Sequence, residues 1–300
     1  MINTIENYLD ALKTEMKGRD AALIQDALAD AHEYLSMALE DAHKKNPEAS
    51  DSEAIQSIIA EYGTPEETAA AYQQIERRTS PSLKQPEVPV SIWGRIFGVY
   101  LDPRTWGSLL FMFITFITGI IYFTWAVTGV SLSVGLFILI IGIPFTILFL
   151  LTVQGLALLE GRLVEALLGV RMPRRPLFAQ PGLKWLDRLK ALVTDKHTWL
   201  SMLYMLLQLP LGVIYFSLNV SLLSIALGLM ASPILQLISK NSVTYLDGGQ
   251  VVGVPFWVTI LLSIGGAILL TLTLHLARAI GGLHGRYAKI LLVSLTDTQS

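Results

Sequence analysis

The sequence predicts an all-α protein. A small soluble helical bundle comes first, then a domain of four transmembrane helices made of two tandem pseudo-symmetric hairpins. The first reason is apolarity. Of 300 residues, 52% are hydrophobic and 15% charged, a dilution expected where runs of about 20 apolar residues must cross lipid. The second is an internal repeat. Residues 102–123, DPRTWGSLLFMFITFITGIIYF, and 195–216, DKHTWLSMLYMLLQLPLGVIYF, are identical at ten of 22 positions without a gap. The matches include Asp102/Asp195, Thr105/Thr198, Trp106/Trp199, Ser108/Ser201, Gly119/Gly212 and Tyr122/Tyr215. Greasy segments coincide by accident at leucine, but rarely at tryptophan, glycine and tyrosine together, so one unit occurs twice. The third is a charge split. Residues 1–80 hold 16 acidic and 7 basic side chains, and the rest holds 8 acidic and 15 basic. An acidic head therefore precedes a membrane body with basic edges.

The head covers residues 1–78. Ile2, Ile5, Leu9, Leu12 and Met16 recur at three- and four-residue steps, the stripe of an amphipathic helix that Gly18 ends. A longer helix is expected from Asp20 to about His43, with Leu23, Ala27, Ala31, Leu35 and Leu39 on one face. Ser50 and Glu53 form a capping box for a third helix that stops at Gly63. Thr64, Pro65 and Glu67 then supply an N-cap, a first-turn proline and a capping carboxylate for a fourth, which carries Ala69, Tyr72 and Ile75. The core so built is short of large residues. His32 and Glu33 are adjacent, point to different faces and lack a third ligand, so they read as a solvated face and not as a metal site.

Residues 79–91 contain three prolines and read as an extended spacer. The membrane domain spans 92–295. It opens on SIWGRIFGVYL, and WLDRLKALVT repeats the pattern 93 residues on. Each reads as a short helix in the lipid–water interface, anchored by Trp93 or Trp185, with Trp106 and Trp199 as the next anchors. Asp102 and Asp195 are expected to cap the helices that follow. Crossings are expected at about 107–127, 132–158, 200–229 and 254–277, with the first turn at Thr128–Ser131 and a kink near Pro210. The link 160–198 holds eight Arg or Lys and the C-terminal flank three more, against Lys240 alone on the other side. Both termini are therefore expected to be cytoplasmic, in a bacterial inner membrane. Two hairpins starting from one side should be related by a pseudo-twofold axis along the membrane normal. The copies also end alike, GRLVEALLGV at 161–170 against GRYAKILLVS at 285–294. That offset of 124 means that the second copy has gained 31 residues, much of it in an outer loop over 231–253.

Two resemblances follow from these residues. The paired leucine opening, the acidic long helix with His32-Glu33 and the ending EYGTPEETAAAY at 61–72 resemble the HAAS signalling domain. That resemblance implies a cytoplasmic helical head acting on a partner, often a PadR-type transcription regulator. The Asp-x-x-Thr-Trp opening, the Gly-(Ile/Val)-Ile-Tyr-Phe segment of each half and the Gly-Arg tails, over 102–170 and 195–292, resemble the "putative sensor" membrane domain. In that family the region often precedes a histidine-kinase module, for which this sequence leaves no room before Ser300.

Chemistry is sparse. Cysteine is absent, which removes thiolate metal sites and cysteine nucleophiles. No phosphate-binding glycine loop, HExxH or GxSxG motif occurs. No cofactor, no metal and no enzymatic activity are expected. The polar residues read at membrane depth are Gln154, Gln208, Asn219 and His275. Gln208 and Asn219, 11 residues apart, could share one helix face, and Tyr122 and Tyr215 could line a pseudo-symmetric crevice; these four are the candidate ligand-binding residues, with interhelical glue the alternative for Gln208 and Asn219. The tyrosines could equally pack on Gly119 and Gly212. The basic loop suits anionic lipid rather than nucleic acid. The expectation is a membrane sensor or regulator whose body receives a signal and whose head, residues 1–78, contacts a cytoplasmic protein. A homo-oligomer is compatible with this, and a transporter component or a membrane-embedded lipid enzyme stands as the alternative.

Overall fold

The computed structural model describes residues 2–46, 50–79, 91–136, 138–139, 141–174, 192–238, 244–247 and 250–293. The chain is all-α, with one small hairpin in addition. The head contains α1 (Ile5–Glu15), α2 (Ala21–Lys45), α3 (Asp51–Tyr62) and α4 (Pro65–Thr79). The cap expected at Ser50 forms, its hydroxyl accepting an amide bond at the start of α3. Thr4 and Asp20, which the sequence reading did not single out as caps, do the same for α1 and α2. Thr64 and Glu67 bond reciprocally, amide to side chain, at 2.9 and 3.3 Å. Gly63 takes φ 112°, where a side chain would be strained, so the α3–α4 corner needs glycine. Tyr8 fastens that corner. Its hydroxyl donates to the Gly63 carbonyl at 2.9 Å and lies 2.9 Å from Thr68 Oγ1.

The head core joins Tyr8, Leu12 and Met16 of α1 to Leu23, Ala27, Ala31 and Leu35 of α2, with Ile58 and Ala69. Tyr34 and Tyr62 stack at its edge, ring centroids 4.5 Å apart. His32 is half-buried rather than solvated, a difference from the sequence reading. Burial lowers its pKa below the ordinary value, with Glu6 opposing the shift.

The membrane part begins with α5 (Ile92–Phe97), followed by a 3₁₀ turn, Gly98–Tyr100. Trp93, Ile96 and Phe97 are exposed, the apolar outward face that an interfacial helix requires. Its counterpart around Trp185 lies outside the described residues. Four long helices follow: α6 (Pro103–Leu136), α7 (Gly142–Leu168), α8 (Lys196–Ile238) and α9 (Phe256–Leu292). All four are long and apolar enough to cross a membrane. Their hydroxyls do not break them, because Thr115, Thr146, Thr271 and Thr273 donate to the carbonyl four residues back.

The turn expected at Thr128–Ser131 does not occur, since α6 continues to Leu136. Gly129 marks packing instead: a Cβ there would run into the Phe149 ring of α7. Helix α9 likewise runs 15 residues past the expected 277, because apolarity reports contact with lipid and not the end of a helix. Pro210 and Pro233 both sit inside α8. Between α8 and α9, β1 (Thr244–Asp247) pairs antiparallel with β2 (Gln250–Gly253). The longer α8, the longer link that carries this hairpin and the longer run of α9 ahead of Gly285 share the residues gained by the second copy.

The chain divides into two compact units, and the division cuts through helices. One is Met1–Lys84, Tyr122–Leu206 and Gly285–Ser300; the other is Gln85–Ile121 and Leu207–His284.

Candidate functional site

Most of the repeat identity is structural. Asp102 Oδ1 accepts the Arg104 amide at 3.1 Å, and Asp195 accepts the His197 and Thr198 amides at 3.1 and 2.9 Å. Both aspartates are thus N-caps. Asp102 also faces Arg278 at 3.1 Å. Trp106 donates its indole N–H to the Tyr100 carbonyl at 2.9 Å, and Trp199 makes the same bond to Val193 at 2.7 Å. Both rings are exposed, as interfacial anchors should be.

Gly119 and Gly212 form the crossing of α6 and α8. A Cβ at Gly119 would lie 2.7 Å from the Gln208 carbonyl oxygen, and one at Gly212 2.6 Å from that of Thr115. Thr115 and Gln208 are themselves repeat equivalents, so each glycine meets the same point of the other helix. Close backbone approach of this kind is how helices associate in lipid. The glycines therefore receive backbone, not Tyr122 and Tyr215.

Those tyrosines go to two constellations that the sequence reading missed. In one unit Glu160 of α7, 1% exposed, accepts from Tyr122 of α6 at 3.1 Å and from Tyr204 of α8 at 2.9 Å. Tyr287 of α9 stacks on Tyr204 with centroids 5.3 Å apart. In the other unit His284 of α9, also 1% exposed, has Nδ1 3.2 Å from the Tyr215 hydroxyl, and Phe111 lies 4.8 Å from its ring. The tail offset of 124 places Glu160 on His284, and the offset of 93 places Tyr122 on Tyr215 and Phe111 on Tyr204. The same three-position arrangement is built twice, once around an acid and once around a base. The tail alignment could have revealed it, but Glu160 and His284 sit one residue before the matching Gly-Arg and were read as lying beyond the apolar runs.

The other candidates scatter. Gln208 and Asn219 are both buried in α8. Gln154 donates to Thr198 Oγ1 at 3.3 Å, and His275 Nε2 lies 3.1 Å from the Ile96 carbonyl oxygen. Among the described residues no group of three His, Asp or Glu is placed to hold a metal.

A second surface lies on the head. Residues 22–28 of α2 are buried on every side, whereas one packed face would bury only part of each turn. The far side of α2 meets the chain that leaves α7. Gly169, at φ 68°, ends α7 in the left-handed conformation and starts the segment 170–174. Arg171, 9% exposed, lies 3.7 Å from Asp26 Oδ2, and the Arg174 amide donates to Asp26 Oδ1 at 2.6 Å. Arg174 also pairs with Glu165 at 3.1 Å, and Lys289 of α9 pairs with Asp20.

The same segment rests on two glycines. Met172 lies over Gly161, its Cβ 3.4 Å from where a glycine Cβ would be, and Val170 lies over Gly285 with its Cγ2 at 2.6 Å. Gly161 and Gly285 follow Glu160 and His284 directly. The arginines that hold the head are therefore carried on a strap packed on the glycine that follows Glu160.

No curated protein and no solved structure matches the chain. A family model described as "Putative sensor" matches residues 113–292. That stretch exceeds half of the chain and takes in most of α6, all of α7, α8 and α9, both ionisable residues with their tyrosines, and the strap, and on it the protein belongs to the "Putative sensor" family as a membrane protein.

Proposed function

We propose that this is a sensor and regulator of the bacterial inner membrane, with both termini cytoplasmic. Its four-helix body receives the signal, and its HAAS-like head, residues 1–78, delivers it to a cytoplasmic protein such as a PadR-type regulator. The observation that carries this reading is the strap: residues 170–174 pack on Gly161 and Gly285 and present Arg171 and Arg174 to Asp26 of the head. A shift of α7 or α9 alters the strap, and the strap holds the head. The buried Asp26–Arg171 pair is loose at 3.7 Å, and such a pair adds little net stability because desolvation offsets its attraction. Two arrangements of near-equal energy, head held and head released, are what a stimulus can bias. Once the head leaves, the exposed arginines and Lys289 suit anionic lipid headgroups.

The test uses the full-length chain in its host membrane. Arg174→Glu with Lys289→Glu breaks the contact from the body side and leaves the head sequence intact. Released heads should change transcript levels of regulated genes, and deletion of residues 1–78 should abolish that change. If neither the charge reversal nor the deletion alters any transcript, the regulatory reading is wrong.

A further inference from the structure

We infer that Glu160 is a proton-binding site whose loading is the stimulus, passed through Gly161 and the 170–174 strap to the head; this rests on the regulatory reading above. The ionised carboxylate only accepts hydrogen bonds. Its two oxygens take one hydroxyl from α6, through Tyr122, and one from α8, through Tyr204. Ionised Glu160 thus ties α7 to two helices with charge-assisted bonds, roughly twice as strong as neutral ones. Among the described residues, the titratable groups on the helices packed here include Tyr287 of α9, stacked on Tyr204, and on α7 itself Arg162 and Glu165, which lie toward its C-terminal end.

Uptake of a proton from water forms an O–H bond on one carboxyl oxygen and removes one negative charge, with no change of oxidation state. That oxygen becomes a donor. The tyrosine facing it must turn its own O–H away, and the tie to that tyrosine's helix is weakened. With both oxygens hydrogen-bonded and 1% of the residue exposed, the site admits a proton, while a larger cation would have to displace a tyrosine. The neighbouring Gly161 carries Met172 of the strap, so a displaced α7 reaches Arg171 and Asp26 through one packing contact. His284 repeats the design in the second copy, followed by Gly285 and Val170.

The chain has no native cysteine, so Met37→Cys and Ile290→Cys, both at exposed positions, can carry spin labels. The doubly labelled full-length protein in lipid nanodiscs is taken through a pH series. Infrared difference spectra follow the carboxylic-acid C=O stretch, and pulsed dipolar EPR follows the head–α9 distance. Acidification should raise a C=O band and shift the distance distribution with the same midpoint. Glu160→Gln should lose both responses. Tyr122→Phe and Tyr204→Phe, which keep the carboxyl, should retain the band and move its midpoint, which covers the case of a Gln variant that fails to assemble. A distance change that persists in Glu160→Gln would assign the response to Asp20 or Asp26 and overturn the proposal. A band that titrates with no distance change overturns the transmission step but leaves the head contact, tested separately by charge reversal, standing. If neither tyrosine variant moves the band's midpoint, the site is not Glu160.

Discussion

The α6–α8 crossing makes a prediction whose sign is fixed by geometry. In Gly212→Ala the new methyl lies 2.6 Å from the Thr115 carbonyl oxygen and 2.8 Å from Phe116 Cα. These are backbone atoms, so no rotamer relieves the clash. Ordinary contact starts at 3.4 Å, and the helices must separate by about 0.8 Å, enough to forfeit a quarter to a half of the dispersion energy along the crossing. Overpacking of this kind costs roughly 1–3 kcal/mol. Gly228→Ala on the same helix meets nothing within 4 Å, and there alanine should be neutral or stabilise by up to about 1 kcal/mol through helix propensity. Gly119→Ala should behave like Gly212→Ala, and the double variant should cost less than the sum, because the first methyl has already spread the helices. Reversible unfolding in mixed micelles titrated with SDS, followed by tryptophan fluorescence, measures all four. A Gly212→Ala protein as stable as wild type, or one indistinguishable from Gly228→Ala, would refute the close crossing.

Tyr204→Phe should lower stability by about 1–3 kcal/mol, by removing a hydroxyl that donates to the buried Glu160 carboxylate, whereas Phe111→Tyr removes no hydrogen bond and should cost less. The same unfolding assay separates them, and Phe is sterically admissible at 204 because Phe111 fills the equivalent place. Asp195→Ala should cost about 0.5–2 kcal/mol as a lost cap; Asp102→Ala should cost more, since Arg278 loses its carboxylate as well, and equal losses would contradict the ion pair. Head stability should be pH-dependent through His32. Its folded pKa is lowered, so the unfolded chain takes the proton more readily; the stabilisation is complete above the ordinary value of 6.5 and is lost as pH falls through and below it. Hydrogen exchange of α2 in the full-length protein should show this, and His32→Gln should flatten it.

What the sequence could disclose depended on whether a residue's role is local. Caps at Ser50, Thr64, Asp102 and Asp195 are local, because an acceptor and the amides it serves lie within three residues. All were legible. The turn at 128–131 was misplaced because Gly129 looks the same whether it breaks a helix or admits a ring, and only the position of Phe149 decides. The repeat was visible, but its meaning was not. Gly119 and Gly212 were paired with the nearby tyrosines when their partners are backbone segments 89 and 97 residues away in the chain, at Gln208 and Thr115. Glu160 and His284 were passed over because a charged residue just past an apolar run reads as a boundary marker. A helix running beyond the apolar stretch, as α9 does to Leu292, keeps such residues inside the protein. The head contact was invisible for a further reason: burial of Gln25 and Asp26 on the polar side of α2 follows from tertiary structure and leaves no periodicity to detect.

The two constellations also explain where the copies differ. Positions limited by backbone have stayed the same: Asp102/Asp195 cap, Trp106/Trp199 bond a carbonyl six residues back, and Gly119/Gly212 admit a neighbouring helix. Positions limited by side-chain chemistry have changed, and they have changed together. A carboxylate offers two acceptor oxygens, so the acidic copy needs two donors and has them in Tyr122 and Tyr204. The imidazole turns Nδ1 toward Tyr215. Phe111 sets its ring against the imidazole ring at 4.8 Å in the place where the acidic copy has its second hydroxyl. The hydroxyl that distinguishes Tyr204 from Phe111 thus follows from the acid that distinguishes Glu160 from His284. Removing the Tyr204 hydroxyl alone would take a charge-assisted bond from a carboxylate that is 1% exposed.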